Sequence, residues 1–186
     1  MKILVTGATS GLGRNAVQYL LQSGESVVAT GRNCEVGRSL TNAGAQFVAL
    51  DLTEASEDDC ARLMDGCDAV WHCAAKSSPW GDKTAFWLAN VKVTHTLAQA
   101  AGRLNIPRFI HISTPAVYFD FQHHNDLPET YLARAFSSHY ASSKYAAEQV
   151  IAGAVSRYSA TRFILLRPRG LFGPHDQVIV PRLMQQ

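Results

Sequence analysis

A glycine-rich turn near the start of the chain constrains the fold more than any other stretch. An apolar run at residues 3–5 suits a buried strand, and it leads into the turn TGATSGLG and then a helical pattern. Gly7 permits a sharp exit from the strand, Gly11 lets the backbone approach a pyrophosphate, and Gly13 lets the helix pack closely on the strand. The first helical turn adds unpaired N–H groups and a positive dipole end. The turn predicts a dinucleotide site, with an ordinary glycine-rich turn as the alternative; the predicted contacts are Gly7, Thr9, Ser10, Gly11, Leu12 and Gly13.

The rest of the chain alternates strand-like and helix-like patterns. The patterns predict strands at residues 2–6, 26–30, 45–49, 68–73, 107–112 and 161–166, and helices near 12–23, 33–43, 55–65, 84–104 and 138–157. Such alternation predicts a Rossmann-type, doubly wound α/β fold with a parallel sheet covered on both faces. Ligands collect at the carboxyl ends of the strands in such sheets. The strand ends are therefore where site residues are expected.

Composition excludes several classes of function. The net charge is +2 with no basic stripe, which argues against nucleic acid. No apolar run approaches the roughly 20 residues that span a bilayer, and we expect neither a secretory signal nor a membrane association. The cysteines match no zinc spacing, so we expect no metal site and reduced, structural thiols in a cytoplasmic protein; they are Cys34, Cys60, Cys67 and Cys73.

The ends of the second and third predicted strands suit the adenosine half of a coenzyme. An NAD site usually has an acid after the second strand, but this chain has Arg32, whose guanidinium suits a phosphate. The hypothesis is a preference for NADP, helped by Arg14; the alternative is that Arg32 is only a solvated charge. Asp51 could accept a bond from the adenine amino group, with Leu52 against the ring, or Asp51 or Thr53 could cap the next helix.

Three further positions near the fourth strand leave alternatives open. The small residues Ala74 and Ala75 would let a coenzyme ribose lie on the backbone. His72 is interpreted as a strand histidine satisfied inside the structure, against a catalyst or metal ligand. Trp80 would form an apolar wall for a substrate or fold back on the core, and Asn90 would support the coenzyme site or be a buried amide without a role.

Hydroxyl and amine groups follow the fifth strand. Ser113 and Thr114 end that strand, and Tyr140 and Lys144 lie four residues apart at the start of a long helical pattern, so that both project from one face. A phenol has a reference pKa near 10, and a nearby ammonium favours the phenolate. Tyr140 would then exchange a proton with an alcohol or ketone while a hydride moves to or from a nicotinamide. Thr114 or Ser113 would hold the substrate oxygen, and Lys144 would also bind the nicotinamide ribose.

These motifs together resemble the extended short-chain dehydrogenase/reductase (NAD-dependent epimerase/dehydratase) superfamily. SSPWG and HISTPAVY look most like its 3β-hydroxysteroid dehydrogenase-like and 2-alkyl-3-ketoalkanoate reductase-like branch. The resemblance implies that Thr114 occupies the catalytic Ser/Thr position and that residues 168–173 lie over the nicotinamide, with Pro168 and Gly170 as contacts. The other matching segments are Thr6-Gly7…Gly11…Gly13, Asp51-Leu52, His72-Cys73-Ala74-Ala75, Asn90-Val91, Val117-Tyr118, Tyr140…Lys144 and Leu166-Arg167-Pro168-Arg169-Gly170-Leu171-Phe172-Gly173-Pro174.

The resemblance also sets expectations for the whole protein. Residues 1–175 would be the dinucleotide-binding domain, and 176–186 the start of a C-terminal substrate portion that the chain lacks. A homodimer through the helices at 84–104 and 138–157 is implied. The expected activity is an NAD(P)-dependent interconversion of a secondary alcohol and a ketone on a small, steroid-like or β-keto-acid-like substrate. The alternatives are a nucleotide-sugar epimerase or dehydratase, and a non-catalytic NADP-sensing regulator.

Overall fold

A single sheet of six parallel strands forms the centre of the molecule. The computed structural model describes residues 1–78, 80–176 and 179–184. The strand order is β3-β2-β1-β4-β5-β6, and each neighbouring pair runs parallel. All six predicted strands are confirmed within two residues. They are β1 Lys2–Thr6, β2 Ser26–Gly31, β3 Gln46–Ala49, β4 Ala69–His72, β5 Arg108–Ile112 and β6 Arg162–Leu166.

Helices connect the strands, and one more follows β6. They are α1 Gly11–Gln22, α2 Cys34–Asn42, α3 Glu57–Leu63, α4 Lys83–Phe86, α5 Val93–Arg103, α6 His139–Arg157 and α7 Ile179–Met184. The helix predicted at 84–104 is continuous, but its middle is a π-helical segment, Trp87–Lys92, between α4 and α5. Apolar periodicity cannot reveal such a segment, because one wider turn leaves the buried face nearly unchanged. A short 3₁₀ helix, Pro115–Tyr118, follows β5.

The two faces of the sheet have separate cores. Side chains alternate across a strand, so Leu4 packs with the α3, α5 and α6 side while Ile3 and Val5 pack with the α1 and α2 side. These three residues are at most 1% exposed. Helices on both faces explain why β1 reads as a continuous apolar run, as parallel strands do when buried on both sides. The predicted doubly wound Rossmann-type fold is therefore confirmed.

The strand order reverses between β1 and β4, which places a crevice at their carboxyl ends. Gly7 leaves β1 with φ +65°, and a Cβ there would lie 2.8 Å from Cα of Ala74 after β4. The two loops thus meet backbone to backbone.

The helices and the cysteines bear on two further sequence expectations, one about membranes and one about thiols. None of the helices in the described part of the chain combines the length and apolar character needed to cross a bilayer. All four cysteines are free thiols; burial raises the pKa of Cys60 to about 11 and that of Cys73 to about 12. Thiols with such pKa values are poor nucleophiles at neutral pH.

Candidate active site

The glycine turn combines tight packing with one open position. A Cβ on Gly13 would lie 2.2 Å from the carbonyl oxygen of Gly7, so α1 approaches β1 as closely as the sequence predicts. Gly11 has φ +46°, but a Cβ there would meet no described atom within 4 Å. The space beside Gly11 belongs to the crevice. The turn is therefore a cradle that a dinucleotide backbone fits.

The start of α1 offers donors to an anion. Ser10 is the N-cap in extended conformation, and its side chain makes no capping bond with the described backbone. The first turn carries no acidic side chain. The orphan N–H groups and the positive end of the helix dipole thus face the crevice, as phosphate binding requires.

A cleft of about 870 Å³ runs from this turn along the carboxyl ends of the strands. Most of the site residues predicted from the sequence line it, whereas Arg14, Trp80 and Asn90 do not. The predicted lining residues are Gly7, Thr9, Ser10, Gly11, Leu12, Gly13, Arg32, Asp51, Leu52, Ala74, Ala75, Ser113, Thr114, Tyr140, Lys144, Pro168 and Gly170. Residues from distant parts of the sequence thus meet on one surface.

The end of the cleft beside β2 and β3, where the sequence predicts the adenosine half of a coenzyme, contains one basic and one acidic side chain. The Arg32 guanidinium lies 3.7 Å from the Asp51 carboxylate, and the two side chains are 78% and 40% exposed. Asp51 also accepts bonds from the backbone and hydroxyl of Thr53, which lower its pKa. The alternative that Asp51 or Thr53 caps the next helix is wrong, because Ser56 caps α3 in a reciprocal capping box with Asp59.

The end of the cleft beside β5, where the sequence predicts the nicotinamide half, contains the predicted tyrosine and threonine. Thr114 is 9% exposed; its hydroxyl accepts a bond from Ala116 at 3.2 Å and is also a hydrogen-bond partner of the Tyr140 phenol. Ser113 lies in the same wall, but its hydroxyl donates to Glu148. Of the two hydroxyls offered by the sequence, that of Thr114 is the one beside Tyr140.

Burial controls the titration of Tyr140. Desolvation raises the pKa of the phenol above its ordinary value, and the Thr114 hydrogen bond opposes that shift only in part. The expectation that Lys144 lowers this pKa is not met by the chain's own residues. The Lys144 ammonium is instead bonded to the carbonyl oxygen of Ile112 at 2.5 Å.

Lys144 lies in a pocket between α6 and β5. It is 2% exposed, and burial lowers its pKa to about 8 against the opposing effect of Glu148. Nε2 of His111 lies 3.5 Å from the ammonium, and burial holds the pKa of His111 well below its ordinary value. A neutral imidazole with Nε2 as acceptor carries its proton on Nδ1, which is buried and has no hydrogen-bond partner within the described chain.

A buried ion pair that sequence reasoning missed braces the wall behind Ser113. Glu148 accepts two bonds from the Arg167 guanidinium, at 2.8 and 2.6 Å, and their side chains are 4% and 18% exposed. Arg167 also donates to the Tyr118 hydroxyl and to the carbonyl oxygen of Glu129. Glu148 follows Lys144 by four residues, so its position on the active face of α6 was readable from the sequence. Its partner was not, because that contact joins α6 to the segment after β6.

His72 is fully satisfied, as the sequence interpretation held. The hydroxyl oxygen of Thr6 accepts a hydrogen bond from the N–H of Ala74. The hydroxyl hydrogen of Thr6 is therefore available to donate to Nδ1 of His72 at 2.9 Å. Nε2 of His72 then donates to Thr94, whose hydroxyl donates to the carbonyl oxygen of Asn90. Burial lowers the pKa of His72 to about 3, so the ring stays neutral. His72 is structural.

Asn90 lies behind the cleft wall. It is 1% exposed, and its amide bonds both the N–H and the carbonyl of Lys76 as well as the Ser143 hydroxyl. The prediction of a direct coenzyme contact is therefore not supported: all the polar atoms of this side chain are committed to protein groups. Asn90 braces the backbone of Lys76 and the side chain of Ser143.

The segment after β6 and the loop after β4 lie at the outer edge of the site. Pro168 and Gly170 line the cleft, and the segment that follows is held near the glycine turn because Asn15 donates to the carbonyls of both Gly11 and Pro174. Trp80 is 83% exposed, which excludes the alternative that it folds back on the core. Among the described residues, no group of three His, Cys, Asp or Glu side chains is placed to hold a metal ion.

The sheet order and the glycine cradle define a Rossmann-type dinucleotide-binding domain. The chain belongs to the NAD dependent epimerase/dehydratase family, whose sequence model matches residues 3–186.

Relatives and solved structures agree with this assignment. An uncharacterized protein of Escherichia coli (strain K12), YbjS, is 50% identical over 183 residues, which cover 98% of this chain and 54% of the relative. A 2-alkyl-3-oxoalkanoate reductase of Shewanella oneidensis (strain MR-1) is 33% identical over 188 residues, covering 97% of this chain and 47% of the relative. The chain thus spans about half the length of the curated relatives it matches.

The fold is shared with a crystallised enzyme. The structure of UDP-glucuronic acid 4-epimerase from Bacillus cereus, in complex with UDP-glucuronic acid and NAD, superposes with a TM-score of 0.83 at 27% identity. The match covers 95% of this chain and 59% of the epimerase.

Proposed function

We propose that this chain is the coenzyme-binding part of an NAD(P)-dependent oxidoreductase that interconverts a secondary alcohol and a ketone on a small molecule. The observation that carries the proposal is the meeting of Tyr140 and Thr114 in the cleft that begins at the glycine turn. Lys144 lies one helical turn beyond Tyr140, buried beside the same cleft. The relatives named as ketoreductases support the alcohol–ketone chemistry.

The coenzyme, Thr114 and Tyr140 would each have a separate role in the reaction. A bound coenzyme would supply the hydride donor or acceptor. Thr114 would hold the substrate oxygen, and Tyr140 would move the proton at its phenol oxygen. Because burial raises the pKa of Tyr140, the phenol is protonated at neutral pH and is suited to donate to a developing alkoxide.

The coenzyme would lie along the predicted lining residues, with its diphosphate on the turn at residues 7–13. Lys144, with Ala74 and Ala75 nearby, would hold the nicotinamide ribose. Arg32 supports a preference for NADP, since it is the cation at the end of β2 where a ribose 2′-phosphate would lie.

Replacing Tyr140 by Phe tests the proposal in the full-length protein. We expect the rate of NADPH-dependent ketone reduction to fall by about 10²–10⁴-fold, because the proton donor is lost. Coenzyme affinity, measured by titration, should change little. Tyr145→Phe is the matched control, since Tyr145 packs on Phe136 and is not among the residues that line the cleft. Turnover that survives in Tyr140→Phe would remove this residue from the mechanism.

A nucleotide-sugar epimerase or dehydratase is the second candidate, favoured by the structural match to the UDP-glucuronic acid 4-epimerase. Such an enzyme returns the hydride within one turnover. Product formation without net consumption of NADPH would therefore identify it. A homodimer through the helices at residues 84–104 and 138–157 stays a proposal from the family resemblance, and light scattering of the full-length protein tests it. A cytoplasmic location stays a proposal from the cysteine pattern.

A further inference from the structure

We propose that Lys76 binds a carboxylate of the substrate, so that the site selects keto acids over neutral ketones. The inference rests on the proposed function, because it names the class of ketone that the Tyr140 site accepts. Lys76 follows Ala74 and Ala75 at the carboxyl end of β4 and lines the same cleft as Thr114 and Tyr140.

Phe86 places the ammonium relative to the phenol. Nζ of Lys76 lies 5.3 Å from the centroid of the Phe86 ring, and that ring lies 6.5 Å from the ring of Tyr140. Phe86 is 2% exposed, so it is a fixed spacer between the two. A cation one ring away from the proton donor can hold one end of a substrate while the donor meets the other.

Hydrogen bonds fix the backbone of Lys76 to that of Tyr140. The N–H of Lys76 donates to Asn90 at 2.8 Å, and the Asn90 amide donates to the carbonyl of Lys76 at 3.1 Å and to Ser143 at 2.9 Å. The Ser143 hydroxyl donates to the carbonyl oxygen of Tyr140 at 2.9 Å. Such bracing is what keeps a binding group within the narrow geometry that recognition needs.

The loop packs against the stem of the lysine. Gly81 has φ +152°, and a Cβ there would lie 3.1 Å from Cε of Lys76 and 3.2 Å from the Phe86 ring. A glycine is therefore required for the loop to return over the side chain. The end of the lysine side chain lies between Gly81 and Phe86, with Nζ 3.6 Å from the same Cβ position, and the residue also lines the cleft.

The charge of Lys76 has no carboxylate partner within the described residues. The nearest acid in sequence, Asp82, instead caps α4 by accepting from Ala85. The lining of the cleft also includes the apolar side chains of Ala85, Leu88 and Ala89. A cation over an apolar wall fits an acid with a hydrocarbon body, and partial burial strengthens the attraction.

The test compares 3-oxodecanoate with its methyl ester as substrates of the full-length protein with NADPH. In Lys76→Met we expect kcat/KM for the acid to fall about ten- to hundredfold, mainly through KM, while the value for the ester is unchanged. Lys76→Arg should keep the preference for the acid. Lys83→Met, which removes an exposed lysine at the start of α4 outside the cleft lining, is the matched control.

Other outcomes separate the inference from the proposed function. Equal losses for acid and ester, or no preference for the acid in the wild type, would overturn the role of Lys76. A loss of coenzyme affinity in Lys76→Met would overturn it too, by assigning the lysine to a coenzyme phosphate. If neither ketone is reduced, the proposed function fails, and titration of the wild type and of Lys76→Met with unreactive decanoate then tests the carboxylate site by itself. Decanoate binding that is lost in Lys76→Met supports the carboxylate site, and binding that is the same in both proteins rejects it.

Discussion

Individual glycines in the N-terminal turn meet different physical demands. Gly13 is required by protein packing, because its missing Cβ makes room for the carbonyl of Gly7. Gly11 borders the open cleft, where a Cβ would meet no described atom within 4 Å, and its φ of +46° adds a backbone cost for any other residue. The sequence suggested both reasons, and the structure separates them by showing which neighbour each Cβ would meet.

Alanine at each of the two positions should therefore affect different measurements. Gly13→Ala should lower the free energy of unfolding by about 1–3 kcal/mol, since backbone atoms must shift. Gly11→Ala should cost about 1–2 kcal/mol from its left-handed backbone and weaken coenzyme binding well beyond that. Urea unfolding and coenzyme titration measure the two effects. Gly153→Ala, at an exposed helical site with no neighbour within 4 Å, should instead stabilise α6 by about 0.5–1 kcal/mol. Unchanged coenzyme affinity in Gly11→Ala would contradict the assignment of the open space.

Among the elements, α6 carries most of the chemistry. Tyr140, Lys144 and Glu148 are spaced by four residues, so one face presents the proposed proton donor, a buried cation and a buried anion. Ion pairing of Glu148 with Arg167 ties this helix to the segment after β6, and the bond from Ser113 ties it to the end of β5. The geometry of the proposed catalytic face thus depends on a charge pair that does not touch the substrate side.

Removing one member of that pair should be costly. Glu148→Gln leaves the Arg167 guanidinium largely buried without a countercharge, so we expect a loss of about 3 kcal/mol in unfolding free energy, at the lower end for broken buried pairs. The double variant Glu148→Gln/Arg167→Met should lose less than the sum of the single losses. Urea unfolding at neutral pH measures all three.

An exposed pair provides the comparison. Arg62 and Asp59 lie three residues apart on α3, and the Arg62 side chain is 72% exposed. Arg62→Met should change the unfolding free energy by less than about 1 kcal/mol. If Arg62→Met and Glu148→Gln lowered the free energy of unfolding by similar amounts, burial would not explain the cost of removing Glu148.

At the scale of the whole molecule, the sequence predicted the fold better than the connections inside the site. Apolar runs and strand-end residues were sufficient for six strands and a shared cleft, because residues such as Thr114 and Ala74 are carried to one edge by topology alone. The bonds of Asn90 to Lys76 and Ser143 were not predictable. They depend on the π-helical segment and on loop packing, which leave no periodic signal.

The cleft crosses both halves of the sheet, so coenzyme binding should stabilise the whole domain. Arg32 follows β2 in one half, whereas Tyr140 and Lys144 adjoin β5 in the other. A ligand that binds only the folded chain adds about 2.7 kcal/mol to the free energy of unfolding at a concentration of 100 times its Kd.

If Arg32 binds a 2′-phosphate, NADPH should raise the melting temperature more than NADH at equal concentration. The Asp51 carboxylate, 3.7 Å from Arg32, weakens this preference without removing it, since Arg32 is largely free to turn toward a ligand. Arg32→Ala should abolish the difference and leave the NADH shift intact, while Arg38→Ala, an exposed change on α2, should leave both shifts intact. A larger shift with NADH in the wild type would assign the adenosine end of the cleft to NAD and make Asp51, not Arg32, the residue that reads the ribose.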